Sequence, residues 1–318
     1  MNEARKVLLI GGGGTLGAYT AEELLRMNCQ VDVICLEDKQ PAREGLCFYQ
    51  GRATLDYLAA FLKERHYDGI INYLHYPNAE DYKPVYRLLS ASAERVVFLS
   101  SYRIYADRAH PITENAPILY DVLQGVDEDF LQKEKYAVSK SEGEKFLREE
   151  CGGGHWIIVR PVISFSRHRF DLVTRSGHEI PDAVRQGKHL SLPNICRDRT
   201  AGLDWAGNSG RLIARLLFQP QALGEAFTIS SAQNWTWGQV AEAYSELTGL
   251  QVDWVDTADY LRDNPKLQRD PWILKYDRLF NRVIDNTKVL QATGLSRADF
   301  VSIKEGIRIE LEKYAKES

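Results

Sequence analysis

Residues 7–17 read VLLIGGGGTLG. A four-residue apolar run, Val7 to Ile10, feeds straight into glycines, and a helix-like stretch from Thr20 to Met27 follows. The loop contains G-x-x-G-x-x-G as Gly11, Gly14 and Gly17. A strand that turns sharply into a helix needs residues without a β-carbon. The free amides and dipole of the helix start then face an anion such as a pyrophosphate. No G-K-[ST] follows, which disfavours a nucleoside triphosphate loop. Glu37 stands just past the next apolar run. A carboxylate there accepts from both ribose hydroxyls of NAD and repels a 2′-phosphate. The stretch predicts dinucleotide binding, with NAD favoured over NADP.

Further apolar runs extend the pattern: Val31 to Leu36, Gly69 to Leu74, Arg95 to Ser100 and Trp156 to Arg160. Helix-like stretches separate them, Leu55 to Lys63 among them. Strand and helix alternating at this spacing predict an α/β fold, a Rossmann-type doubly wound parallel sheet. Beyond about residue 165 the pattern loosens into a smaller, mixed α/β C-terminal lobe for substrate. The expected division is 1–165 for the NAD-binding domain and 166–318 for the substrate lobe, with a strand near 226–230 able to return to the main sheet. Thr236 to Gln239 reads as a capping box. The segment from Asn264 to Asn281 follows no period.

Composition removes several classes. The 318 residues hold 40 Lys+Arg against 44 Asp+Glu, a net charge of −4 with pI near 6.0. No global basic field exists to hold nucleic acid or an anionic membrane surface. The five cysteines are widely spaced without C-x-x-C, and the seven histidines form neither H-x-x-x-H nor H-E-x-x-H. Neither a disulfide scaffold nor a metal site is expected. No stretch has the ~18 uncharged apolar residues of a membrane span, and the N-terminal apolar run is too short for a signal peptide. The expectation is a reduced, cytoplasmic protein.

Tyr136-Ala-Val-Ser-Lys140 places a phenol and an ammonium four residues apart on one helix face. A neighbouring cation stabilises a phenolate, so Tyr136 can remove or return a hydroxyl proton near neutral pH. With 16 tyrosines in the chain, the spacing arises about once by chance, so its position carries the weight. It follows four predicted strands and precedes the fifth. The strand before it ends in Leu99-Ser100-Ser101, at the carboxyl edge where ligands bind in such sheets. Ser101 can bridge a substrate oxygen to Tyr136.

Taken together, these residues resemble the extended short-chain dehydrogenase/reductase family, in its NAD-dependent epimerase/dehydratase branch that acts on nucleotide-sugars. The resemblance runs over nearly the whole chain. It includes Gly11/Gly14/Gly17, Glu37, Ser100-Ser101 with Tyr105, Tyr136/Lys140 and Arg160-Pro161. Arg197-Asp198 with Asp204-x-Ala206, the 224–230 segment, and Asp285 to Lys288 with Gly294 complete it. The resemblance implies Ser101, Tyr136 and Lys140 as the catalytic triad. It implies that Gly11, Gly14, Thr15, Leu16, Gly17, Glu37, Lys140 and Pro161 hold NAD. Arg197 and Tyr102 would contact substrate, and a homodimer would form through the Tyr–Lys helix and its neighbour.

The chain also departs from the family pattern. Gly51-Arg52 stands where relatives often place an aspartate, Asn72-Tyr-Leu-His75 replaces His-Leu-Ala-Ala, and Ile163 replaces a common asparagine. Arg167-His168-Arg169 is a second possible source of phosphate contacts, beside its reading as a solvated turn. After Ser101 the chain carries Tyr102-Arg103, where 4,6-dehydratases carry Asp-Glu. The expected activity is therefore an NAD-dependent nucleotide-sugar epimerase working through C4 oxidation. The alternative is an NAD(P)-dependent reductase or dehydrogenase of a sugar or other carbonyl substrate. A 4,6-dehydratase and a cofactor-sensing or RNA-binding relative without activity rank lower. The late tryptophans (Trp205, Trp235, Trp237, Trp254, Trp272) are expected in the core rather than in a pocket.

Overall fold

All six apolar runs form strands of one parallel sheet in the computed structural model, which describes residues 4–41, 43–152 and 154–317. They are β1 (Lys6–Ile10), β2 (Gln30–Cys35), β4 (Gly69–Asn72), β5 (Val96–Leu99), β6 (Trp156–Pro161) and a late strand, Ala226–Ile229. A seventh strand, β3 (Leu46–Gln50), escapes the sequence pattern. It lies at the sheet edge, and its half-exposed side chains give no continuous apolar run. The spatial order is late strand, β6, β5, β4, β1, β2, β3, with every neighbouring pair parallel. The winding reverses between β1 and β4. That reversal opens a crevice at the carboxyl edge, and the glycine loop leaves β1 into it.

Helix α1 (Thr15–Arg26) starts earlier than its apolar period implies, because the glycine turn feeds it directly. The helices α2 (Leu55–Leu62) and α3 (Ala79–Ser92) are capped by Thr54 and Asn78, whose side chains accept from Tyr57 and Asp81 amides. Two apolar layers sandwich the sheet. On one face Val7, Leu9, Val31 and Val33 meet Leu212, Ile213 and Leu216. On the other, Leu8, Ile10 and Ile70 meet Leu58, Tyr82 and Leu89.

The second half of the chain packs onto the first. It contributes the late strand beside β6 and a helix, Ala206–Leu217, that lies against α1. Gly210 makes that approach possible, since a Cβ there would stand 2.8 Å from the Thr20 amide nitrogen. The C-terminal helix Ile303–Glu317 is pinned by a fully buried Glu310. Glu310 accepts from the Tyr19 hydroxyl, from Trp205 Nε1 at 2.8 Å and from the Arg167 amide at 2.7 Å.

Between these returns, residues 166–200 and 235–280 build the smaller lobe. It holds a hairpin of Phe170–Leu172 and Arg175–Gly177, a parallel pair of Leu190–Pro193 and Val252–Val255, and the helix Trp237–Thr248. That helix opens on the expected capping box, Thr236 with Gln239. Trp237, Phe170 and Tyr244 fill the lobe's core. The aperiodic 264–281 segment becomes a short helix, Pro265–Arg269, then a π-helical turn, Leu274–Arg278. Among the described residues no helix is long and apolar enough to cross a membrane.

The α1 contact yields a prediction. Gly210→Val forces α1 and its partner helix apart and is expected to cost about 1–3 kcal/mol. A urea titration checks this: the midpoint should fall with an unchanged slope.

Candidate active site

The glycine loop takes the conformation its composition implies. Gly11 has φ +71°, and a Cβ on Gly17 would stand 2.3 Å from the Gly12 carbonyl oxygen, so the α1 start and the loop close tightly. Gly14 is the N-cap of α1, with no side chain capping the helix and open space around it. Unpaired first-turn amides beside an open cradle suit a pyrophosphate. The Glu37 carboxylate lies over the loop, with Oε2 2.7 Å from the point where a Gly13 Cβ would sit. Lys39 donates to the Gly13 carbonyl and braces the loop from the same side. The loop and Glu37 thus fit a dinucleotide.

The helix Lys135–Glu150 carries the Tyr–Lys pair to the same edge. Glu134 is its N-cap and accepts from the Ala137 amide at 3.3 Å. Lys140 is 2% exposed. Its Nζ donates to the Leu99 carbonyl at the end of β5 at 2.6 Å and reaches the Leu74 carbonyl, two residues past β4, at 3.5 Å. Burial pushes its pKa down to about 7, against a smaller opposing pull from Glu144. One turn further along, Glu144 is paired with Arg160 in a fork of 2.9 and 2.5 Å. Arg160 also donates to the Tyr105 hydroxyl and to the Glu114 carbonyl.

Ser101 ends the β5 edge and caps a 3₁₀ turn, Tyr102–Ile104. Its hydroxyl hydrogen-bonds Tyr136. Burial raises the Tyr136 phenol above its ordinary pKa, while this hydrogen bond and then Arg103 pull it back down. His75, in place of the family's usual residues after β4, lies with its ring 5.2 Å from Tyr136 and its Nε2 2.8 Å from the Ser139 hydroxyl. Burial and then Lys140 both depress the imidazole pKa.

These groups open on a cleft of about 510 Å³. Ser101, Tyr136, Thr15, Leu16 and Pro161 all line it, so the helix start of the glycine loop and the phenol share one cavity. Ile163 lies on its wall. A larger cavity of about 860 Å³ adjoins it, and Arg169, Ile273 and Arg278 line both.

Of the two residues expected at the substrate, Arg197 stands elsewhere and Tyr102 lines the cleft. Arg197 is exposed on the turn after Asn194–Cys196, where its carbonyl accepts from the Gly238 amide, and it lines neither cavity. Tyr102 is 2% exposed, and its hydroxyl donates to Asp277 at 2.9 and 3.0 Å. Beside Tyr102 the cleft presents Arg103, Arg169, Arg278 and Asp277, with Glu134 paired to Arg103 and Asp171 paired to Arg169. Arg169 pairs with Asp171 at 2.9 Å, and Arg278 pairs with Asp277 while donating to the Val173 carbonyl at 2.6 Å. Burial works against Asp277 ionising, yet Arg278, Arg282 and Arg103 hold its carboxyl below the usual range. Asp277 and Arg278 come from the aperiodic segment. Their one sequence signal was an acid and a base adjoining among aromatics. None of the five late tryptophans lines either cavity among the described residues; Trp237 is buried and Trp272 stacks on Tyr276.

Comparison with known proteins agrees with this geometry. The sequence profile of the NAD-dependent epimerase/dehydratase family matches residues 7–206. No curated protein sequence matches the chain. Among solved structures, the epimerase Mth375 from Methanothermobacter thermautotrophicus is similar at a TM-score of 0.71, with 16% identity, covering 99% of this chain and 93% of that one. WbmG from Bordetella bronchiseptica, in complex with NAD and UDP, has a TM-score of 0.69 and 17% identity, covering 99% and 95%. The Thermus thermophilus UDP-glucose 4-epimerase, in complex with NAD, has a TM-score of 0.68 and 18% identity, covering 98% and 99%. At such identities the likeness establishes the fold.

Lys140 gives the site a measurable signature. Its pKa is lower in the folded chain than in the unfolded one, so between pH 7 and 9 the unfolded state holds more protons and folding gains stability as pH rises. Relative to Lys140→Met, the wild type should gain about 2 kcal/mol over that interval. Urea unfolding of both proteins at the two pH values measures the difference.

Proposed function

Because the chain belongs to the NAD-dependent epimerase/dehydratase family, we propose that it is a nucleotide-sugar epimerase that inverts a carbinol centre, C4 of the sugar. The observation that carries this reading is the meeting of Tyr136, Ser101 and the α1 start in one cleft, with Lys140 buried one turn behind the phenol. Gly11, Gly14, Thr15, Leu16, Gly17 and Pro161 would hold NAD along the edge, and Glu37 would take the adenosine ribose. Bound NAD supplies a reversible hydride acceptor. Tyr136 removes the proton of the sugar hydroxyl and later returns it. Ser101 holds the same oxygen, and the Lys140 ammonium stabilises the phenolate.

The adjoining cavity has room for a nucleotide, and Arg169 and Arg278 at the junction suit a diphosphate. UDP in the WbmG structure supports this assignment. Among the described residues lining the catalytic cleft, the one carboxylate, Asp277, is tied to Arg278 and Tyr102. Tyr102 and Arg103 follow Ser101, and Asp277 is held ionised by arginines. That favours epimerisation over 4,6-dehydration.

An enzyme that oxidises and re-reduces the same centre ends each cycle with its cofactor unchanged. Purified protein denatured with acid should therefore release NAD close to one equivalent per chain, read by absorbance and mass. A protein that releases none would instead be a net reductase or dehydrogenase. Tyr136→Phe should lower turnover of UDP-, dTDP-, GDP- or CDP-hexoses by about 10²–10⁴-fold while leaving NAD binding unchanged. Calorimetry with NAD separates the two effects, and retained turnover removes Tyr136 as the acid–base.

A further inference from the structure

A second cation stands over the catalytic phenol. The Arg103 guanidinium carbon lies 5.3 Å from the centroid of the Tyr136 ring, against 5.7 Å for Lys140 Nζ. The two differ in kind. Lys140 is bound to the Leu99 carbonyl and sheds its proton near neutrality, whereas a guanidinium keeps its charge at every working pH. Arg103 is also held in place. Glu134, which caps the helix two residues ahead of Tyr136, takes Nη2 on both oxygens at 2.7 and 2.6 Å. Asp277 lies 3.7 Å from Nε, and that buried Nε has no hydrogen-bond partner. Cap, arginine and phenol therefore share one small region at the cleft wall.

We propose that Arg103 is a positioning residue for proton transfer, a permanent cation that Glu134 holds against Tyr136 to stabilise the phenolate. This rests on the reading of Tyr136 as the acid–base. Every charged or titratable element around the ring enters the balance. From its own helix come Lys140 and Glu134, and from the turn after β5 comes Arg103. From the loop after β4 comes His75, and from the segment before the lobe hairpin comes Arg169. Asp277 stands beside Arg103, 3.7 Å from its Nε. Arg103 and Arg169 favour the phenolate and Glu134 opposes it. His75, its pKa depressed, adds little charge at neutral pH. The site thus keeps a positive charge beside the phenol across the range in which Lys140 becomes neutral.

The test is a titration of position 136 by ¹⁹F NMR, with 3-fluorotyrosine incorporated there, in the full chain with and without NAD. Arg103→Gln should raise the midpoint by about one unit, a tenfold loss of phenolate at a given pH. Glu134→Gln keeps an Oε1, the atom that both caps the helix and accepts from Arg103, so it removes charge without freeing the guanidinium and should lower the midpoint. Arg103→Lys should restore most of the wild-type value. Opposite shifts from the two glutamine variants are the signature of charge, because a loosened turn moves both the same way. An unmoved midpoint in Arg103→Gln, or shifts of one sign in both, overturns the proposal. If Arg103→Gln fails to fold, Arg103→Lys and Glu134→Gln carry the measurement: a midpoint that stays put in Arg103→Lys and falls in Glu134→Gln supports it, and one that rises in Glu134→Gln overturns it. The titration needs no substrate. Turnover surviving in Tyr136→Phe would defeat the epimerase reading and leave the Arg103 result standing.

Discussion

Lys140 enters the interior without a carboxylate bound to its ammonium; the main-chain carbonyls of Leu99 and Leu74 take that role. One of those carbonyls ends β5 and the other lies just past the neighbouring β4, so seating the lysine on both fixes the height of the helix Lys135–Glu150 along the sheet. Leaving a buried ammonium unbonded costs several kcal/mol, which makes this placement a strong constraint. Once the lysine is seated, Tyr136 must stand one turn ahead, at the crevice, and Glu144 one turn behind, where Arg160 of β6 meets it. Register between helix and sheet thus follows from a single side chain.

Around that fixed point ion pairs stand beside the apolar wall of Leu16, Leu99, Val162, Ile163 and Ile273. Four arginines (Arg103, Arg169, Arg278 and Arg282) alternate with Glu134, Asp171 and Asp277, most of them buried. Such pairs add little net stability, because desolvation consumes much of the Coulomb gain. What they supply is orientation. Tyr102 shows this: it lines the cleft, and its hydroxyl fastens Asp277 beside Arg103, whose guanidinium stands over the phenol ring.

The first half of the molecule was legible because one physical rule produces it. Parallel strands buried on both faces must be apolar runs, and six of the seven strands announced themselves this way. The exception, β3, lies at an exposed edge where that rule relaxes. The glycine loop, Glu37, Ser101, Tyr136 and Lys140 were legible for a related reason: each occupies the end of a strand or the start of a helix, where order along the chain fixes place in space. The lobe's contribution was not. Arg169, Asp277 and Arg278 reach the cleft through a bend after β6 and a π-helical turn, and neither has a period to read. Arg197 shows the converse, since a matched motif gave it a role while its turn directs it outward.

The chain's itinerary has a consequence for its synthesis. When residue 165 emerges from a ribosome, β1 to β6 are all present, yet β6 still shows a bare edge and one face of α1 still lacks its cover. The missing pieces, Ala206–Leu217 and Ala226–Ile229, lie some 40 to 65 residues downstream. Translation at about 5–20 residues per second leaves that edge unpaired for seconds, long enough for a neighbouring nascent chain to add a strand to it. The part of the molecule that cradles the dinucleotide is made before the pieces that seal it.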